Sequence, residues 1–151
     1  MYILKKILLV SSIIALTTVA NISIAKDSDL PNPMAEEGSL KRVMQGLLTD
    51  TQQLTKAMLM EDFTNIEKIA KNIADHPKAS LAIRMKLMKA MGTQMVKFKS
   101  NDDVVHGAAV AMAKNANSKD IKAIAENFQT MIGGCMSCHN EFKNKVSTIL
   151  K

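Results

Sequence analysis

The sequence predicts an all-α protein built as an antiparallel four-helix bundle, and three observations carry that reading. Apolar residues recur at spacings of three and four along most of the chain from Leu40 onward, the repeat that lines one face of a helix. Alternating β-branched runs are few, and no Asn-Gly hairpin signal separates two apolar stretches. The breaks between periodic segments are short and polar, which sets consecutive helices side by side and antiparallel.

The N-terminus stands apart from this pattern. Lys5 and Lys6 precede an uncharged apolar run from Ile7 to Ala20, and Ser23-Ile24-Ala25 places small residues where a signal peptidase inspects them. Residues 1–25 are therefore expected to be a signal peptide cleaved before Lys26, sending the mature chain to the periplasm. An uncleaved membrane anchor is the competing reading, because the apolar stretch approaches spanning length. If the leader is removed, no stable membrane insertion is expected, since nothing later in the chain is apolar enough. Residues 26–35, polar and broken by Pro31 and Pro33, form an extended lead-in, and residues 36–151 form one bundle domain.

The first helix carries Leu40, Met44, Leu47, Thr51, Leu54 and Met58 on one face and Lys41, Gln45, Asp50 and Gln53 on the other. Asp62 is placed to cap a second helix with Phe63, Ile66, Ala70 and Ile73 or Ala74 inward. Pro77 disfavours helical geometry at His76, so that helix ends near Asp75. Leu81 to Phe98, rich in methionine and interrupted by Gly92, reads as loose and partly helical. Asp102 or Asp103 is expected to cap the third bundle helix, through Val104, Val105, Ala108, Ala109 and Met112. Ser118 is expected to cap the long fourth one, whose stripe is Ile121, Ile124, Ala125, Phe128, Met131, Ile132, Phe142, Val146 and Ile149.

Without the leader the chain holds 18 basic and 14 acidic residues, a modest excess spread along every segment. Aromatics are scarce, with four Phe, one Tyr and no Trp, so the basic face interleaved with stacking side chains that a nucleic-acid binder needs is not present. The charge suits solvated helix faces, or the steering of an acidic redox partner protein.

Chemistry concentrates in Cys135-Met136-Ser137-Cys138-His139, which holds the only two cysteines of the chain. This is the pattern of c-type haem attachment, in which two thiols add to the haem vinyl groups and the adjacent imidazole ligates iron. Residues three and four apart share a helix face, so Cys135, Cys138 and His139 can address one porphyrin. A disulfide between cysteines so close would constrain little of the unfolded chain. A dithiol oxidoreductase would place the pair after a strand and at a helix N-terminus, where the thiol pKa falls, whereas this pair lies within a helical stretch. A zinc site needs more ligands than lie nearby, and His76 and His106 look too isolated in sequence to complete one. Gly133-Gly134 before the first thiol admits two readings, close approach of haem to bare backbone or a local kink. No catalytic triad or paired carboxylates accompany the motif, and the chain is not expected to be an enzyme.

With the motif near the C-terminus and only Asn140 to Lys151 beyond it, the chain resembles the class II cytochromes c, the four-helix-bundle cytochromes c prime and their low-spin relatives, over residues 36–146. Phe142 and Lys143 stand where that family has an aromatic and a basic residue after the haem histidine, with lysine in place of the usual arginine. The resemblance implies one haem c attached near the C-terminus of the last bundle helix, with the other face of the iron covered by a residue of the first helix. Low-spin members use methionine there, and Lys41-Arg42-Val43-Met44 is similar to the family's basic-then-methionine pattern, which makes Met44 the candidate sixth ligand ahead of Met58, Met34 and His106. A methionine at that position implies a closed site for electron transfer. An apolar residue such as Leu47 over the iron implies instead a five-coordinate site for nitric oxide or carbon monoxide. The resemblance also suggests a homodimer through the first two helices.

Overall fold

The computed structural model describes residues 35–151; the expected signal peptide, nearly all of the lead-in, and Met34 lie outside the described residues. The described part is all-α, with α1 at Leu40–Leu59, α2 at Phe63–Ala74, α3 at Leu81–Met91, α4 at Gln94–Asn117 and α5 at Ile121–Leu150. The helices α1, α2, α4 and α5 make the four-helix bundle. Packing runs from α1 to α2, from α2 to α4 and from α4 to α5, while the short α3 lies on α5 and α4. Among the described residues no helix is long and apolar enough to cross a membrane.

The same local device turns the chain at both ends of the bundle hairpins. After α1, Glu61 adopts φ +51°, its amide donates to the Met58 carbonyl, and the Asp62 amide donates to the Ala57 carbonyl. After α4, Lys119 adopts φ +56°, its amide donates to the Ala116 carbonyl, and the Asp120 amide donates to the Asn115 carbonyl. Both are Schellman stops, which satisfy the last helical carbonyls at the cost of one left-handed residue. In each, the next residue is the aspartate that starts the following helix: Asp62 accepts from the Asn65 amide and Asp120 from the Ala123 amide.

Two expected boundaries are corrected. The cap of the last helix is Asp120, while Ser118 closes α4 and donates its hydroxyl to the Asn115 carbonyl. Asp102 and Asp103 cap nothing, because α4 begins at Gln94, after Gly92 and the N-cap Thr93, and runs through both. Gly92 sits at φ +53°, ψ −128°, a conformation that glycine tolerates and other residues avoid, and this sharp corner separates α3 from α4. The loose segment is thus a regular helix, α3, capped by the Ser80 hydroxyl on the Ile83 amide.

Two apolar clusters divide the core along the bundle. The larger gathers Leu54, Ile66, Ile73, Ala109, Met112, Ile124 and Met131, with Leu47, Met58 and Cys135 packed against it. The smaller gathers Leu87, Met91, Phe142 and Val146, with Leu40, Phe98 and Cys138 against it. Phe98 meets Phe142 edge-on at a centroid distance of 5.5 Å. The helix α5 contributes to both clusters, largely as its stripe predicts, although Ala125 is exposed and Gly134 is buried.

Gly134 has a steric reason. The helix runs unbroken through Gly133-Gly134, and Gly134 is accounted for by close packing. A Cβ on Gly134 would stand 3.0 Å from Val105 Cγ2, 3.2 Å from Val104 Cγ1 and 3.3 Å from the Asn101 carbonyl oxygen, all on α4. Missing side-chain bulk is what lets α4 and α5 approach here. Gly134→Val should lower the stability of the haem-loaded protein by about 1–3 kcal/mol through overpacking. Lys119→Gly should raise it by about 1 kcal/mol by relieving a left-handed non-glycine residue. Chemical denaturation followed by helical circular dichroism measures both, and a neutral Gly134→Val would remove the close-approach argument.

Candidate functional site

Cys135, Cys138 and His139 lie well inside α5, on adjacent turns of one helix face. The two thiols are half-buried and form no disulfide, and His139 is exposed. Cys135 packs on the larger core cluster and Cys138 on the smaller, so the motif straddles the boundary between them. Burial pushes both thiols upward from their ordinary pKa; at Cys138 the negative field of Asp102, of Cys135 and of Glu141 adds to it. Thiols held protonated in mid-helix are the opposite of the activated, low-pKa pair a dithiol oxidoreductase uses.

The stripe on α1 crosses the same boundary. Leu40 packs on the smaller cluster and Leu47 on the larger, and Met44 lies between them on that stripe. Met44 belongs to neither cluster and is 39% exposed, so it does not act as core filler. Met58 does, being half-buried against the larger cluster. Leu47 is likewise engaged in packing. Of the two residues that follow the histidine, Phe142 is buried at the heart of the smaller cluster and Lys143 is exposed.

The sequence model of the cytochrome c′ family matches residues 34–143, which spans the bundle from α1 to the residues just past the cysteine-histidine motif. The chain belongs to the cytochrome c′ family. No curated protein and no solved structure matches it. Its cofactor is haem c, held covalently, and this cytochrome has only two thiols to hold it.

The residues present fit that group. Two reduced thiols and an imidazole share one face of an unbroken helix, and both thiols are bordered by apolar side chains of the two clusters. A partly apolar surround of this kind lowers the local dielectric and limits water around a haem. The steric role of Gly134 belongs to α4, whereas a Cβ on Gly133 would meet nothing within 4 Å, leaving the exposed backbone there open.

The structure also assembles residues that sequence spacing kept apart. His76, from the link after α2, and His106, on α4, have ring centroids 4.9 Å apart, and Asp102 lies between their Nε2 atoms. The signal that could have found this group is the four-residue spacing of Asp102 and His106 on one helix. Reading Asp102 as a helix cap concealed it.

Proposed function

We propose that this cytochrome c′ family member is an exported, periplasmic electron carrier whose haem is attached through Cys135 and Cys138, with iron ligated by His139 and Met44. The observation that carries the reading is Met44, unpacked and half-exposed on α1 at the level where α5 bears the motif. Bound there, the haem supplies a one-electron iron couple, whose potential a thioether ligand raises.

The protein's own residues account for the rest of such a role. The unbroken helix α5 fixes two thioether positions and the imidazole relative to one another, which keeps ligand geometry constant between redox states. The clusters of Leu54 and Phe142 border the thiols and exclude water from that side. Lysines distributed over the helix faces provide a diffuse positive surface for brief docking of an acidic redox partner protein, an attraction that salt weakens.

A second reading is favoured by the family match itself. Cytochromes c′ include five-coordinate members, and in that case the protein binds nitric oxide or carbon monoxide on the face Met44 would otherwise cover.

Two measurements separate these outcomes. On a denaturing gel, haem staining should travel with the wild-type chain and disappear in the Cys135→Ala/Cys138→Ala double variant; retained stain in that variant would refute the attachment. The ferric holoprotein should show the weak methionine-to-iron charge-transfer band at the red end of its spectrum. Met44→Ala should abolish that band and yield a high-spin, carbon-monoxide-binding ferrous form. If the wild type already binds carbon monoxide and Met44→Ala changes nothing, the gas-binding reading replaces the electron-transfer one.

A further inference from the structure

We propose that His76, Asp102 and His106 form a second metal site, separate from the haem, that takes a divalent cation of the zinc type with a water in the remaining position. The three side chains offer one ligand atom each, all within 4.8 Å of one another. His76 Nε2 lies 3.8 Å from Asp102 Oδ1, and His106 Nε2 lies 3.6 Å from Asp102 Oδ2. Ligand atoms around a tetrahedral zinc with bonds of about 2.0–2.1 Å stand roughly 3.3 Å apart. The two histidine-carboxylate spacings, each to a different oxygen of Asp102, are a few tenths of an ångström too long, and the set as a whole must close from a spread of up to 4.8 Å by side-chain rotation.

The state of His76 is the second observation. Its ring is 12% exposed, and its Nε2 is buried without any hydrogen-bond partner. A buried ring nitrogen left unpaired is costly, and such orphans in a folded protein call for a missing partner. The other ring nitrogen explains which tautomer is present. His76 Nδ1 is 3.0 Å from the Pro77 carbonyl oxygen, so Nδ1–H donates to it and Nε2 is the ring atom turned toward Asp102 and His106. Metal-bound histidines recurrently anchor their second nitrogen on a backbone carbonyl in this way.

The backbone makes the arrangement durable. Asp102 and His106 are four apart on α4, so they project from one face of a rigid helix. Pro77 holds His76 out of α2 and fixes the link that presents it. The Asp102 carboxylate favours a positive charge on His76, which burial opposes and the nearby Lys78 slightly opposes, and the same negative field favours a cation in competition with a proton. The Lys99 ammonium pairs at 2.6 Å with Asp103, and its charge also reaches Asp102, where it helps hold the carboxyl in its ionised, metal-binding form. Two imidazoles and one carboxylate are a borderline donor set, suited to zinc-like ions and poor for calcium or magnesium.

The test is titration calorimetry of untagged, haem-loaded protein, stripped with chelator, with Zn²⁺ as the probe near pH 7.5. One Zn²⁺ per chain is expected, weakening as the pH falls toward 5.5 because protons compete for the imidazoles. His106→Gln and Asp102→Asn should each weaken binding by at least the ~10–100-fold that loss of a supporting group costs. Covalent haem, read by gel staining, should be retained in every variant and with or without Zn²⁺, which keeps failure here distinct from failure of the haem assignment. His76→Gln adds the third ligand; because that ring is buried, its folding is checked by circular dichroism, and the more exposed His106→Gln decides if it unfolds. Absence of binding, or unchanged affinity in His106→Gln, would overturn the site and leave His76 and Asp102 as a pH-dependent ion pair.

Discussion

The close approach of α4 to α5 at Gly134 governs the rest of the molecule, because α5 is a single long helix that must serve both core clusters and also display the Cys135-Cys138-His139 face. Bare backbone at Gly134 brings the Asn101–Val105 stretch of α4 into van der Waals contact one residue before Cys135. That contact fixes the rotation of α5, and with it the direction in which Cys135, Cys138 and His139 face. It also fixes α4, so that Asp102 and His106 end up beside His76. One steric requirement thus positions both the Cys135-Cys138-His139 face and the His76-Asp102-His106 group.

Around this contact the core is divided, and the division has a consequence for the site. A continuous core would have buried Cys135 and Cys138 equally among aliphatic side chains. Instead the thiols lie at the border of two clusters, half-buried and protonated, with the α1 stripe changing clusters at Met44. Bordering side chains are apolar and rigidly held, which suits a cofactor whose covalent bonds do the anchoring while packing sets dielectric and water access. Haem retention in a small bundle then rests on thioether bonds more than on a deep cavity.

Much of this was legible in the sequence because the relevant signals are local. The five-residue motif, the Asp62 cap, the end of α2 before Pro77 and most of the α5 stripe all depend on neighbours within a few positions. The α1 stripe holds only in part: Leu54 is buried as expected, but Val43 and Ala57 are buried outside the expected stripe and Met44, expected inward, is exposed. What was not legible depends on tertiary partners. The first half of α4 is polar and lysine-bearing, with no side-chain cap at Thr93, so the helix announced itself only at Val104 and Asp102 looked like its start. The role of Gly134 could not be separated from a kink without knowing that α4 lies against it. His76 and His106 are distant in sequence and meet only because α2 and α4 pack together. Conversely, an aspartate following a left-handed residue proved a better helix-start signal than serine, since Asp120 outcompetes Ser118 once Lys119 completes the Schellman stop.

The central claim is that iron lies between His139 of α5 and Met44 of α1. X-ray absorption at the iron edge of the haem-loaded protein reads the ligand atoms directly. A sulfur scatterer alongside the nitrogens, absent in Met44→Ala, is the predicted result. Nitrogen ligation alone, with no sulfur in the wild-type protein, would contradict it.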